Sequence, residues 1–97
     1  MQFLIIKKPR EYFIETMTEE EAEIMSKHFL YLKQKLREGK LIIAGPVKSG
    51  DFGLSIVETE TEEEAREIIN NDPAVSSGIM TPTMYPYRVS LLRGRDT

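Results

Sequence analysis

The chain has 97 residues, 40% hydrophobic and 30% charged, with a net charge of −3 and neither cysteine nor tryptophan. This length and balance fit one globular domain, residues 1–97, with one modest core rather than a disordered segment. The lack of cysteine excludes a disulfide scaffold, a thiolate nucleophile and a cysteine metal site, and the acidic balance argues against a nucleic-acid partner, which needs a basic face.

Gln2 to Lys8, rich in Phe, Leu and Ile, predicts a strand. Its lysines follow the apolar run, the reverse of a secretory signal. No apolar run approaches the ~20 residues of a membrane helix, so the expectation is a soluble cytoplasmic protein without a membrane partner. Pro9 to Met17 reads as a loop carrying Arg10, Glu11 and Tyr12. Thr18 with Glu21 three residues on is a capping box that opens a helix to about Glu38, and Gly39 supplies the left-handed residue that ends it. Ala22, Met25, Phe29, Leu32 and Leu36 recur at helical spacing and predict its buried stripe. The acids at the start of this helix and the bases at its end complement the helix dipole, a structural use of charge.

Leu41 to Val47 predicts a second strand, closed by Gly45-Pro46, and Leu54 to Glu60 a third, joined to it through a turn at 48–53. Thr61 with Glu64 repeats the capping box, and Ala65, Ile68 and Ile69 mark the inner side of a shorter helix ending near Asn70-Asn71. Asn70 to Pro82 reads as a long connection, and Thr83 to Leu92 as a fourth strand that Pro86 assigns to a sheet edge. Arg88, Arg93 and Arg95 are too few and too scattered to make a nucleic-acid site.

The order βαββαβ predicts an α+β, ferredoxin-like domain: a four-stranded antiparallel sheet with both helices on one face. Phe3 and Ile5 alternate with Leu4 and Ile6, and Leu41 and Ile43 with Ile42 and Ala44, so these strands are apolar on both sides. A sheet face left in water should be polar. The second face is therefore expected to pack on another copy in a two-fold homodimer.

His28, the single histidine, falls on the flank of the predicted stripe, where a side chain is half buried and half accessible. Histidine titrates near neutral pH and is the natural general acid or base; the plain alternative is a helix-surface histidine with a routine hydrogen bond. Asp72 before Pro73 is equally an N-cap with proline at the first helical position, and it is able to cap and to partner His28 together. One histidine among scattered carboxylates gives no metal-ligand spacing, and the 49–53 turn lacks the glycine spacing and lysine of a phosphate loop, so neither metal nor cofactor is expected.

His28 to Leu32, Gly39 to Pro46, Gly53 with its strand, Glu63 to Ile69, and Asp72-Pro73 stand in an order and spacing that resembles the YCII-related family over nearly the whole chain. The resemblance implies a ferredoxin-like, dimeric α/β barrel whose suspected active site is a histidine and an aspartate, here His28 and Asp72. The family usually follows Asp-Pro with a bulky aromatic residue; this chain has Ala74, a departure that bears on pocket size and substrate class.

The resulting expectation is a small dimeric enzyme using general acid/base chemistry on a small organic molecule, by isomerisation, elimination or hydrolysis. His28 would move the proton and Asp72 would fix its tautomer. Tyr31, Gly45 and Pro46 are expected to line the pocket; Arg10 is able to meet an anionic group, and its plainer reading is a solvent-exposed loop arginine. The competing readings are a non-catalytic module that binds a small ligand and a purely structural dimer.

Overall fold

The computed structural model describes residues 1–94; Arg95, the last member of the basic tail, lies outside them. The elements run β1 (Gln2–Pro9), α1 (Phe13–Thr16), α2 (Glu19–Arg37), β2 (Leu41–Pro46), β3 (Gly53–Glu58), α3 (Glu62–Asn70), α4 (Pro73–Ser76) and β4 (Met80–Tyr87). The strands form one antiparallel sheet in the order β2-β3-β1-β4. This is the ferredoxin-like arrangement the strand and helix order predicts. Among the described residues, no helix is long and apolar enough to cross a membrane.

Local sequence chemistry explains most boundaries. Thr18 accepts the Glu21 N–H while the Glu21 carboxylate accepts the Thr18 N–H, a complete capping box at the start of α2. Gly39 takes φ +78° just beyond α2, where an L side chain would be strained. The second box is half as expected: Thr61 caps Glu64 N–H, but the Glu64 carboxylate reaches back to Glu60 N–H instead of Thr61.

Three segments differ from expectation. The 9–17 loop contains a helical turn, α1, which follows a left-handed Tyr12 (φ 59°) and buries Phe13. The 70–82 connection contains α4, which Asp72 caps. Finally, β4 starts at Met80 and ends at Tyr87, because β1 pairs with it from Gln2↔Tyr87 to Pro9↔Met80 and so fixes its length. β4 is an edge strand, where the missing N–H groups of Pro82 and Pro86 are tolerated.

Strand alternation sends Phe3, Ile5 and Lys7 to the helix-covered face and Leu4 and Ile6 to the other. Phe3, Ile5, Leu41, Val57, Ala65, Ile68 and Ile69 form the core between the sheet and α3. A bulge at Ile42, between Leu41↔Val57 and Ile43↔Ile56, turns Ile43 outward to 52% exposure. Tyr85 and Tyr87 are also about half exposed on that outer face. A short stretch of the chain meets it: Val89 N–H donates to Gln2 Oε1 at 2.6 Å, and residues 87–92 border a hollow over Ile42, Ile43 and Ile56.

The inner face of α2 is a correction to the predicted stripe. No residue of α2 is buried, and Phe29 and Leu36 are 63% and 53% exposed. The half-buried positions are Glu21, Ile24, Met25, His28, Tyr31, Leu32 and Lys35, a face centred on His28 that keeps Met25 and Leu32 of the predicted stripe and leaves Ala22, Phe29 and Leu36 exposed. Hydrogen bonds from His28 and Tyr31 to the α3–α4 region hold the helix in this rotation. The apolar spacing alone could not reveal that polar anchors outrank Phe29 and Leu36.

Candidate active site

Three elements bring polar groups to one end of the covered sheet face. Lys7 arrives as the third inward position of β1, after Phe3 and Ile5, and only 5% of it is exposed. His28 arrives from the middle of α2. Asp72 precedes Pro73 in extended conformation (φ −66°, ψ 125°) and is fully buried. Proline fixes the first helical residue, so the aspartate side chain is held over the start of α4.

The Asp72 carboxylate accepts from three donors. Oδ1 lies 2.7 Å from His28 Nδ1 and 2.9 Å from the Ala74 N–H; Oδ2 lies 2.5 Å from Lys7 Nζ and 2.9 Å from His28 Nδ1. Cap and histidine partner are therefore one residue. Burial, the largest influence on Asp72, favours the neutral acid, but the His28 hydrogen bond and the Lys7 charge and hydrogen bond together outweigh it. The carboxyl is held below its ordinary value and is an anion at neutral pH.

An anion at Oδ1 and Oδ2 accepts only, so the neutral His28 ring must carry its proton on Nδ1. Nε2 then holds the lone pair. It has no protein partner, and no unpartnered side-chain nitrogen or oxygen is buried among the described residues, so Nε2 is accessible. The same reasoning leaves the Ser55 hydroxyl, opposite Ile5 on β3, open at the surface of the cavity that it borders.

That cavity has a volume of about 580 Å³, within the ~300–1,000 Å³ usual for small-molecule sites. Lys7, His28 and Ser55 border it; Asp72 does not, and stands behind them. The remaining wall is chiefly apolar: Met25, Phe29, Leu32 and Leu36 of α2 face Leu41, Ala44 and Pro46 of the sheet. The exposed side of α2 is thus a wall of this cavity. Near Phe13, Ile14 packs so closely on the 47–52 turn that a Cβ at Gly50 would lie 2.5 Å from Ile14 Cδ1.

The predicted pocket residues divide. Gly45 and Pro46 line the cavity. Tyr31 is not on its wall: the hydroxyl donates to the Ile68 carbonyl at 2.8 Å, and burial, with the Asp72 and Glu38 charges, pushes its pKa up to about 12. Arg10 is not on the wall either. It grips Glu21 through 2.5 and 3.0 Å contacts and Thr16 through 2.8 and 3.1 Å contacts, tying α1 to the start of α2. Ala74 is buried beside Asp72 and away from the cavity, so the lost aromatic does not enlarge this wall directly.

Lys7 is the site residue that sequence reasoning missed. Its signal was present, since alternation from Phe3 and Ile5 puts a lysine on the core face, where an unpaired ammonium is not tolerated. As to metals, both Asp72 oxygens are committed to protein donors, and no group of three or more His, Asp and Glu side chains converges among the described residues.

A ferredoxin-like α+β domain with a histidine and a buried aspartate at an apolar cavity defines the class. The model of the YCII-related domain matches residues 1–85, and the chain belongs to that family. Among solved structures, the chain is similar to the 5-chloro-2-hydroxyhydroquinone dehydrochlorinase of Burkholderia phenoliruptrix AC1100, in complex with 2,5-dihydroxybenzoquinone. The TM-score is 0.70 at 21% identity, covering 91% of this chain and 94% of that one. No curated protein matches the chain in sequence.

Proposed function

We propose that this protein is a small-molecule enzyme in which His28 Nε2 exchanges a proton with the substrate, by general acid/base catalysis of an elimination or isomerisation. The observation that carries this reading is the His28 Nδ1 contact with both oxygens of a fully buried carboxylate, with Nε2 left accessible at an apolar cavity. Asp72 holds the tautomer and stabilises the imidazolium that forms when Nε2 takes a proton. The chiefly apolar wall suits the carbon skeleton of a small organic ligand. The similar structure is a dehydrochlorinase by name and holds a small quinone, which supports elimination on a ring of that size.

The test is proton exchange. Dihydroxyaromatic and 1,3-dicarbonyl compounds are incubated with protein in D₂O, and loss of C–H signal is followed by NMR. The reading predicts catalysed exchange that His28→Ala abolishes while ligand binding persists. Exchange at the wild-type rate in His28→Ala contradicts it.

The functional unit is proposed to be a homodimer joined through the outer sheet face. Leu4, Ile6, Ile43, Tyr85 and Tyr87 give that face an apolar character unsuited to water. Light scattering is expected to return twice the chain mass, and the mass of one chain overturns the proposal.

A further inference from the structure

Lys7 is usually explained by its partner, because a buried ammonium beside a buried carboxylate satisfies both. Its surroundings show more than neutralisation. Nζ has three N–H donors, and among the described residues only Asp72 accepts from it. Its side chain is 7% exposed, and Lys7 borders the cavity whereas Asp72 does not. The charges are therefore layered: carboxylate behind, ammonium and imidazole in front. Gly53 stands opposite Lys7 in the β1–β3 register, without a side chain to cover the ammonium from that strand. The Ser55 hydroxyl adds a further accessible donor on the same sheet face. Two other cations stand near: Arg10, off the wall and engaged with Glu21 and Thr16, and Lys33, which borders the cavity from α2 as an exposed, solvated side chain, whereas Lys7 is the buried one.

We infer that Lys7 is an oxyanion-binding residue, and that the ligand of this cavity is an apolar molecule with one oxygen that is an anion, or becomes one in the reaction, held on Lys7 Nζ. The inference rests on the proposed acid/base reading only for the reaction, not for the binding. In that reaction, His28 Nε2 takes a proton from the carbon next to a carbonyl. The C–H electron pair becomes the enolate double bond, and the carbonyl π pair moves to oxygen, whose negative charge meets Lys7. The imidazolium and the enolate then balance one another, and the Lys7–Asp72 pair stays neutral throughout.

Binding of two probe pairs tests this without turnover. The first is 2-naphthoate against its neutral isostere 2-naphthamide, by calorimetry at pH 7. Wild type is expected to favour the carboxylate by about tenfold or more, corresponding to ~1.4 kcal/mol. Lys7→Met is expected to lose that preference with amide affinity kept, and Lys7→Arg to retain it. The second probe is 4-nitrophenol, whose ionisation is read by absorbance. Its bound form is expected to be more ionised than free in wild type and less ionised in Lys7→Met, which a purely structural lysine would not produce. A response to only one probe identifies the oxyanion as carboxylate or phenolate. If Lys7→Met fails to fold, Lys7→Met/Asp72→Asn removes both charges and carries the same expectation. Equal affinity for carboxylate and amide in wild type, with no gain in phenol ionisation, overturns the inference, as does a preference that survives loss of Lys7. His28→Ala is expected to keep the anion preference, so a failed exchange assay and a failed binding assay point to different claims.

Discussion

Two ion pairs of this protein share one contact distance and differ in almost everything else. Lys7 to Asp72 and Arg10 to Glu21 both close at 2.5 Å, but the side-chain exposures are 7% and 0% in the first and 44% and 21% in the second. Arg10 and Glu21 are solvated, and their attraction is weakened by water, salt and the entropy of two long side chains. Asp72 has lost its hydration entirely and depends on Lys7, His28 and the Ala74 N–H to remain an anion. Distance reports contact, whereas burial decides what removing a partner costs. It also separates a pair that fastens a loop from one that supports a cavity.

The largest effect expected is from Asp72→Ala. It strands Lys7 in the interior, frees His28 and removes the cap of α4, and loss of one partner of a buried pair typically costs about 3–5 kcal/mol. Urea unfolding followed by circular dichroism measures this, and a loss below ~1 kcal/mol would show the buried pair to be no more important than the exposed one.

Acid sharpens the same contrast. The folded Asp72 carboxyl is held below its ordinary 3.8, so its contribution is fully present above that pH and is lost as pH falls below it. Glu21, brought down to about 2 chiefly by its Arg10 hydrogen bond, loses its contribution between its ordinary 4.5 and that value. Added salt is expected to flatten the Glu21 share of the acid limb and to leave the Asp72 share, which Asp72→Asn alone should remove. Melting curves from pH 5 to pH 2 at low and high salt, for wild type and Asp72→Asn, separate the two.

Smaller effects complete the series. Thr18→Ala removes the α2 cap and is expected to cost ~1 kcal/mol, about 4–8 °C in Tm for a domain of this size. Arg10→Ala is expected to lower Tm by less than Thr18→Ala, because its ion pair is solvated. A drop as large as that of Thr18→Ala would show that Arg10 does more than fasten α1.

The same distinction explains what was legible in the sequence. Thr18, Gly39, Ala65, Ile68 and Asp72-Pro73 carry their structural roles in short-range chemistry, and each takes the role its neighbours predict. The fold class followed from their order. Apolar periodicity placed the α2 stripe on Ala22, Met25, Phe29, Leu32 and Leu36; Met25 and Leu32 are half-buried, but the bonds of His28 and Tyr31 turn the helix so that Ala22, Phe29 and Leu36 are exposed. Those bonds join residues far apart in sequence, and no local pattern encodes them. Arg10 was legible as an exposed loop cation, but its engagement away from the pocket was not, because its Glu21 partner depends on how α1 folds back. Lys7 was legible by alternation alone and was overlooked because strand-end lysines are usually solvated.

The central claim is that Asp72 sets the His28 tautomer and leaves Nε2 as the base. Because the chain has one histidine, its ring nitrogens give two unambiguous signals in a ¹⁵N NMR spectrum. At a pH about two units above the ordinary histidine value, wild type should show a proton-bearing Nδ1 and a bare Nε2, a preference weakened in Asp72→Asn. A wild-type ring that carries its proton on Nε2 contradicts the account.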